Sequence, residues 1–183
     1  MTIDAGPDEL YTTLAREADV EALAALVNSA YRGESSRRGW TSEADLVGGT
    51  RTDAAALREL IASADKAILL LRAQSGLYAC ALLERRPEAV CCLDMLSVRP
   101  ALQGSGIGRQ MLAAAERYAR QQFEARSMEI TVIELREELL AWYERRGYVR
   151  SGESRPFPYA DERSGLPLRD GLRVAVLTRE LVP

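Results

Sequence analysis

Apolar and polar positions repeat along this chain with two different periods, which separate predicted helices from predicted strands. The 3.6-residue period of amphipathic helices occurs at residues 20–32, 54–62, 107–122 and 137–146. Strand-like apolar runs occur at residues 10–14, 67–72, 77–86, 89–98, 127–134, 148–152 and 172–181. Asp19 and Asp53 directly precede the first two helices and are predicted to be their N-caps.

The predicted order of elements, β-α-α-β-β-β-α-β-α-β-β, mixes hairpins with strand–helix–strand crossovers. Such an order favours a mixed sheet with helices on both faces. Residues 33–52 are polar and glycine-rich, and we expect a loop there with one short helix capped at Thr41 or Ser42. No internal repeat or long linker divides the chain, so residues 1–183 are predicted to form a single domain.

Length and charge exclude several classes of protein. At 183 residues, with 47% hydrophobic positions, the chain can bury a sizeable core without a disulfide or a metal. No apolar run approaches the roughly 18 residues of a membrane span, and no basic start with a following apolar stretch marks a signal peptide. The net charge of −3 provides no basic field for nucleic acid. We therefore expect a cytoplasmic protein with neither nucleic acid nor membrane as its partner.

The chain has no histidine, which limits the chemistry it can perform. Catalysis by Ser-His-Asp or Cys-His groups is excluded, as is every zinc site with a histidine ligand. Cys80, Cys91 and Cys92 are too few for an all-thiolate site and are predicted to be small buried residues, so no metal is expected. Chemistry must depend on carboxylates, tyrosines, cysteines or backbone groups.

The most informative motif is the glycine-rich turn at residues 103–108, QGSGIG, which joins a predicted strand to a predicted helix. Its glycines permit a sharp turn, and the free amides of the helix start form a cradle for pyrophosphate. Arg109 and Gln110 stand where a P-loop needs Lys and Ser or Thr, and the glycine spacing does not fit the dinucleotide-binding motif. A glycine-rich helix entry that binds no ligand is the alternative.

The turn also matches the pattern Q/R-x-x-G-x-G/A, and an L-x-V-x-P stretch at Leu96, Val98 and Pro100 precedes it. A second signature, WYERRGY, follows at residues 142–148. With these motifs and its order of elements, the chain resembles the GNAT superfamily of acyl-CoA-dependent N-acetyltransferases over essentially its whole length. The resemblance implies an α/β (α+β) fold, with a mixed, splayed sheet of about seven strands flanked by helices on both faces.

The resemblance further implies acetyl-CoA as cosubstrate, bound between the strand that ends near Val98 and the next one. The cofactor-binding residues it implies are Leu96, Ser97, Val98, Gln103, Gly104, Ser105, Gly106, Ile107, Gly108, Arg109 and Arg136. Arg136 stands where the family often has an asparagine that bonds the pantetheine, so this contact departs from the family pattern.

The activity that the resemblance implies is transfer of the acetyl group to a primary amine of a small molecule or peptide. The amine attacks directly and forms a tetrahedral intermediate. Tyr143 matches the family's proton donor to the departing thiolate, and its alternative is packing in an apolar stripe. Asp94 is the expected general base, because alternation sets it on the face of Leu96 and Val98. Glu84 or water could serve instead, and Asp94 could be half of an ion pair.

In the family, the first helix and the loop after it cover the acceptor site, which points to Tyr31, Glu34 and Trp40. Glu34 would suit a cationic amine, whereas Arg32, Arg37 and Arg38 would suit an acceptor that bears a carboxylate. A second copy of the chain is a further candidate partner, since dimers are common in the family. The alternative function is a non-catalytic acyl-CoA-binding sensor or interaction domain.

Overall fold

The computed structural model describes residues 9–158 and 165–181. In these residues the helices are α1 (Val20–Tyr31), α2 (Gly33–Arg37), α3 (Ala54–Ala62), α4 (Ile107–Gln122) and α5 (Glu137–Glu144). The strands are β1 (Tyr11–Leu14), β2 (Val47–Gly48), β3 (Lys66–Ala73), β4 (Gly76–Arg86), β5 (Val90–Val98), β6 (Ser127–Ile133), β7 (Val149–Pro156), β8 (Leu166–Pro167) and β9 (Arg173–Glu180). None of the described helices is long and apolar enough to cross a membrane.

Seven strands form one mixed sheet in the order β1-β3-β4-β5-β6-β9-β7. β5 and β6 run parallel, and every other described neighbouring pair runs antiparallel. The helix α4 crosses from β5 to β6, as a parallel connection requires. The mixed sheet of about seven strands with helices on both faces is thereby confirmed. β2 and β8 form a separate two-stranded ribbon that the sequence analysis did not predict.

The sheet opens in its middle, between β5 and β6. These strands pair over only four positions, from Val90 opposite Ser127 to Leu93 opposite Ile130. Beyond Leu93, β5 continues to Val98 beside β4 alone, while β6 continues to Ile133 beside β9. The free edge of β5 and the free edge of β6 therefore face each other across a gap.

Apolar side chains cover both faces of the sheet. On one face, α1 and α3 bury Leu23 and Leu57 against β3 and β4. On the other face, α4 and α5 bury Met111 and Leu140 among side chains of β5, β6 and β9. Burial of such side chains contributes about 1.5–3 kcal/mol each. The cluster on the α4 face includes residues from both sides of the gap and so holds the two halves of the sheet together.

A β-bulge at Met95 changes which way the second half of β5 faces. Met95 has a φ of +53°, and the register between β4 and β5 shifts at this point. Leu93 packs with the α4 core, Met95 with the α1 core, and Leu96 again with the α4 core. The expectation that Asp94 shares a face with Leu96 and Val98 is therefore wrong, because the bulge interrupts the two-residue alternation.

Two local predictions about helix starts have different outcomes. Asp53 is confirmed as an N-cap, since its carboxylate accepts from the N–H of Ala56 at 2.8 Å. Asp19 instead accepts from the N–H of Arg16 at 2.9 Å and pairs with Arg72, so it does not cap α1. The short helix expected after Thr41 or Ser42 lies earlier in the chain, as α2.

Candidate active site

A cavity of about 670 Å³ opens where β5 and β6 separate. One end lies at the glycine-rich turn and the start of α4. The other end lies beneath the segment that follows α1, next to the N-terminus of α5. Residues from both ends line it, including Tyr31, Trp40, Glu43, Arg51, Asp94, Leu96, Val98, Gln103, Gly104, Ser105, Gly106, Gly108, Arg109, Arg136, Tyr143, Arg146 and Phe157.

The glycine-rich turn presents backbone N–H groups to the cavity. Gly104 and Gly106 have φ values of +80° and +91°, in the left-handed region that glycine adopts without strain. The first helical bond of α4 here runs from the N–H of Gln110 to the carbonyl of Gly106, at 3.1 Å. The preceding N–H groups at the helix start have no acceptor within the helix, and the helix dipole favours an anion there.

The free edge of β5 offers polar backbone groups to the same cavity. The carbonyl of Leu96 accepts from the Tyr31 hydroxyl at 3.4 Å, and the carbonyl of Val98 accepts from Nε2 of Gln103 at 3.3 Å. These are side-chain donors rather than strand partners. Because N–H and C=O of one residue in a strand point to the same edge, the N–H groups of Leu96 and Val98 also face the gap. An amide-bearing ligand can pair with this edge as a further strand would.

Tyr143 lies between the two ends of the cavity. Its ring is buried against Trp142 and Tyr148, with centroids 4.9 and 5.4 Å away. Burial raises the pKa of the Tyr143 hydroxyl well above its usual range, although the charge of Arg136 opposes the shift. The phenol therefore keeps its proton at neutral pH and can donate it.

A buried carboxylate, Glu43, joins two arginines beside the N-terminus of α5. Its Oε1 accepts from Nη1 of Arg32, and its Oε2 accepts from Nη1 of Arg136 at 3.0 Å. Nη2 of Arg136 also donates to the Thr41 hydroxyl at 2.9 Å. Arg136 thus lines the cavity, and its guanidinium is bound by residues of the segment that follows α2. Glu43 in that segment lies 93 positions from Arg136 in sequence.

A second ion pair joins Arg51 to Asp94 across the end of the cavity below α1. Nη2 of Arg51 lies 2.9 Å from both carboxylate oxygens of Asp94, and the guanidinium packs over the ring of Tyr31 at 5.5 Å. Desolvation alone would raise the pKa of Asp94. The charge and hydrogen bonds of Arg51, with the N–H of Met95, outweigh desolvation and lower that pKa below its ordinary value. Asp94 is therefore an ionised partner of Arg51, with little affinity for a proton at neutral pH.

Positive charge also lies at the end of the cavity next to the glycine-rich turn, where Arg109 and Arg146 line it. Arg146 stacks on the ring of Trp142, with 3.6 Å between the guanidinium carbon and the ring centroid. Desolvation, followed by repulsion from Arg145 and Arg109, lowers the pKa of Arg146. Three arginines therefore lie close together near the start of α4, which favours a phosphate-rich ligand there.

Most of the site residues expected from the sequence line this one cavity. Three do not: Ser97 is buried in β5, Ile107 is buried in the core, and Glu34 pairs on the surface with Arg37, which also pairs with Asp45. Glu84 pairs with Lys66 and Arg86, away from the cavity lining. Backbone groups of Ser97 and Ile107 remain part of the β5 strand and the helix start, but their side chains cannot contact a ligand in the cavity.

Glu43 and Arg51 line the cavity, and the sequence analysis did not identify them. Both lie in the polar segment between α1 and α3, where arginines and acids are frequent. The only signal was the density of charged residues around Trp40, which did not indicate which of them turn inward.

Comparisons with known proteins agree with this geometry. The family model described as the acetyltransferase (GNAT) family matches residues 34–148. No curated protein matches the sequence significantly. Among solved structures, a protein provisionally named a phosphinothricin N-acetyltransferase is 21% identical, with a TM-score of 0.69 and coverage of 96% of this chain and 100% of that one.

Two further solved structures have the same fold. The provisionally named acetyltransferase YncA from Salmonella typhimurium, solved with its cofactor acetyl-CoA, is 16% identical, with a TM-score of 0.67 and 94% coverage of each chain. A point mutant of the spermidine N-acetyltransferase SpeG from Vibrio cholerae is 13% identical, with a TM-score of 0.69 and 94% coverage of each chain. The family match covers more than half of the sequence and includes the glycine-rich turn, the β5 edge and Tyr143. This chain belongs to the GNAT family of acetyltransferases, enzymes that use acetyl-CoA as cosubstrate.

Proposed function

We propose that this enzyme transfers the acetyl group of acetyl-CoA to a primary amine of a small molecule or peptide, by direct attack of the amine on the thioester. The observation that carries the proposal is the continuity of one cavity from the glycine-rich turn, along the free edge of β5, to the buried hydroxyl of Tyr143. These features match the parts of acetyl-CoA in order: pyrophosphate, pantetheine amides and thioester.

The chain's own groups suit each part of that ligand. The N–H groups of Gly104 and of residues 106–109 would hold the pyrophosphate, with Arg146 close to the phosphates. The edge at Leu96 and Val98 would pair with the pantetheine amides, since each of the two carbonyls can accept a second hydrogen bond beside the one from Tyr31 or Gln103. Bound acetyl-CoA supplies an activated thioester, and the protein positions it.

Tyr143 is proposed as the general acid. The amine nitrogen forms the bond to the acetyl carbon, the carbon–sulfur bond breaks, and the sulfur takes the phenolic proton. The amine gives up one proton in the same reaction, and water returns it to the Tyr143 oxygen, which leaves the protein unchanged. The position of Tyr143 in the cavity lining supports this role, since a phenol holds its proton at neutral pH and can give it to the departing thiolate.

We propose that water, rather than a side chain, removes the proton of the amine. In the part of the chain that the structure describes, the carboxylates that line the cavity are those of Glu43 and Asp94, and both are held in ion pairs with arginines. The lowered pKa of Asp94 makes it a poor base at neutral pH. Asp94 instead fixes the guanidinium of Arg51 over Tyr31, which makes it a positioning residue.

The experiment that tests the proposal combines binding with turnover. Acetyl-CoA should raise the melting midpoint; at about 100-fold excess over Kd the gain is about 2.7 kcal/mol, or roughly 5–10 °C for a domain of this size. Incubation with a panel of primary amines should then release free thiol. A midpoint that acetyl-CoA leaves unchanged would contradict the proposal. Binding without thiol release for any amine would favour the non-catalytic alternative.

A further inference from the structure

The charges at the acceptor end of the cavity, away from the glycine-rich turn, are unequal. Among the described residues, three guanidinium groups meet two carboxylates: Arg51 and Arg136 line the cavity with Glu43 and Asp94, and the buried Arg32 pairs with Glu43 behind them. Each of the four carboxylate oxygens already accepts a hydrogen bond from an arginine. A cationic group on an acceptor would have to share one of these carboxylates with the arginine that already binds it.

Hydrogen-bond donors, in contrast, are in excess. Arg51 uses only its Nη2 for Asp94, and its Nε and Nη1 donate to none of the described residues. Neither nitrogen is buried without a partner. Arg51 lines the cavity and its side chain is 19% exposed, so both nitrogens are accessible to a ligand. Nε of Arg136 is buried and has no acceptor among the residues that the structure describes.

The setting of Arg51 suits recognition of an anion. Asp94 holds the guanidinium from one side and the ring of Tyr31 supports its face, so the free donors have a fixed direction. A guanidinium fixed in this way loses little side-chain entropy when it binds a ligand. Its hydrogen bonds to an anion would be charge-assisted, hence stronger than those between neutral groups.

We propose that the acceptor is a primary amine that also carries an anionic group, such as the carboxylate of an amino acid or a phosphonate, and that Arg51 binds this group. This inference rests on the proposed acetyl transfer. Tyr31, under Arg51, and Tyr143 line the same cavity, so an anion held at Arg51 leaves the amine of a short molecule in the same space as the Tyr143 hydroxyl. Polyamines, which carry only positive groups, are disfavoured.

The test compares matched acceptors that differ only in charge. Each of a set of amino acids is offered with acetyl-CoA beside its uncharged α-amide, together with aminoalkylphosphonates and diamines. Removal of the carboxylate lowers the pKa of the α-amine, so chemical reactivity alone would favour the amide. We expect kcat/KM for the preferred acid to exceed that for its amide by about 10- to 100-fold.

Three outcomes distinguish the inference from the proposed function. Amides or diamines that match the acids would overturn the inference. Acetyl-CoA binding without acetylation of any anionic amine would also overturn it. Loss of acetyl-CoA binding would instead contradict the proposed function itself.

Variants of Arg51 identify the residue responsible. Arg51→Met should raise KM for the acid about 10-fold or more, leave KM for acetyl-CoA nearly unchanged and bring the acid-to-amide ratio close to one. Arg51→Lys should restore part of the preference and provides the test if Arg51→Met does not fold. Arg58→Met removes an exposed arginine that pairs with Glu17 on the surface and should change neither KM. An acid-to-amide ratio that Arg51→Met leaves intact would overturn the assignment.

Discussion

The backbone N–H of Trp40 donates to Oε1 of Gln103 at 2.7 Å, which ties the segment after α2 to the glycine-rich turn. The same side chain donates from Nε2 to the carbonyl of Val98 at 3.3 Å. A Cβ on Gly39 would lie 2.4 Å from Oε1 of Gln103, so a larger residue there would displace this side chain. One side chain therefore joins the acceptor end, the cofactor turn and the edge of β5.

This contact predicts that Gln103→Ala affects both substrates. The two lost hydrogen bonds should cost about 1–3 kcal/mol in unfolding free energy, or roughly 2–10 °C in midpoint. KM should rise for acetyl-CoA and for the acceptor alike, because Trp40 is no longer held against the turn. Gln110→Ala, the same truncation at an exposed position of α4, is the control and should leave both KM values as in the parent. A Gln103→Ala enzyme with the same two KM values would show that the bridge has no role in binding.

A pair of glycine variants separates backbone strain from loss of the phosphate cradle. Gly106 and Gly152 have similar φ values, +91° and +83°, and a Cβ would meet no close neighbour at Gly152 and only Arg109, at 3.8 Å, at Gly106. Gly106→Asp and Gly152→Asp should each lose about 1–2 kcal/mol of stability from the left-handed backbone. Only Gly106→Asp should abolish the rise in melting midpoint with acetyl-CoA, since it puts a negative charge at the start of α4. Equal responses of the two variants to acetyl-CoA would argue against the turn as the phosphate site.

Tyr143→Phe should retain acetyl-CoA binding and lose turnover, because only the proton donor is removed. General acid catalysis contributes roughly 10²–10⁴-fold, so kcat should fall by that order while the thermal response to acetyl-CoA persists. Tyr118→Phe removes a hydroxyl from the α4 residue that packs on Phe123 and is the control. Parent-like kcat in Tyr143→Phe would assign Tyr143 to packing alone.

The lowered pKa of Asp94 predicts how stability depends on pH. Its ion pair with Arg51 stabilises the fold above the ordinary aspartate pKa, 3.8, and this contribution is lost as the pH falls through the lowered value. Asp94→Asn should therefore lower the melting midpoint at pH 7 by up to about 4 °C, and the difference from the parent should shrink below about pH 4.

The same variant distinguishes a positioning residue from a base. If Asp94 holds Arg51, Asp94→Asn raises KM for an anionic acceptor and keeps the shape of the pH–rate profile. A general base would instead lose kcat, and the rise of rate with pH would flatten or move. Asp65→Asn, which removes an exposed carboxylate paired with Arg85, provides the control for loss of a surface charge.

The periodicity of the sequence predicted the main helices and strands because the spacing of apolar residues in each element reflects which side of that element faces the core. Helix α4 begins at Ile107 and ends at Gln122, as its apolar spacing indicates. The glycine-rich turn was equally readable, since alternate glycines directly before a helix have a local backbone meaning. These short-range signals were sufficient to identify the family.

The bulge at Met95 had no such signal. A methionine at positive φ is unusual, and no glycine or asparagine marks the position. The bulge places one extra residue in β5, after which the strand resumes its pairing with β4 at Ser97. The alternation of apolar and polar residues along β5 therefore gave no indication that Asp94 faces Arg51.

By itself, the sequence determined the order of the main helices and strands, the cofactor turn, the candidate acid Tyr143 and the absence of histidine chemistry. Only the tertiary structure decided which charges meet in the cavity. Arg51 and Asp94 are 43 positions apart, and Glu43 and Arg136 are 93 apart. Lys66 is the only lysine among 24 basic residues, so many arginines were equivalent candidates in the sequence. An ion pair between distant segments depends on how the sheet and helices pack, and no local pattern encodes that choice.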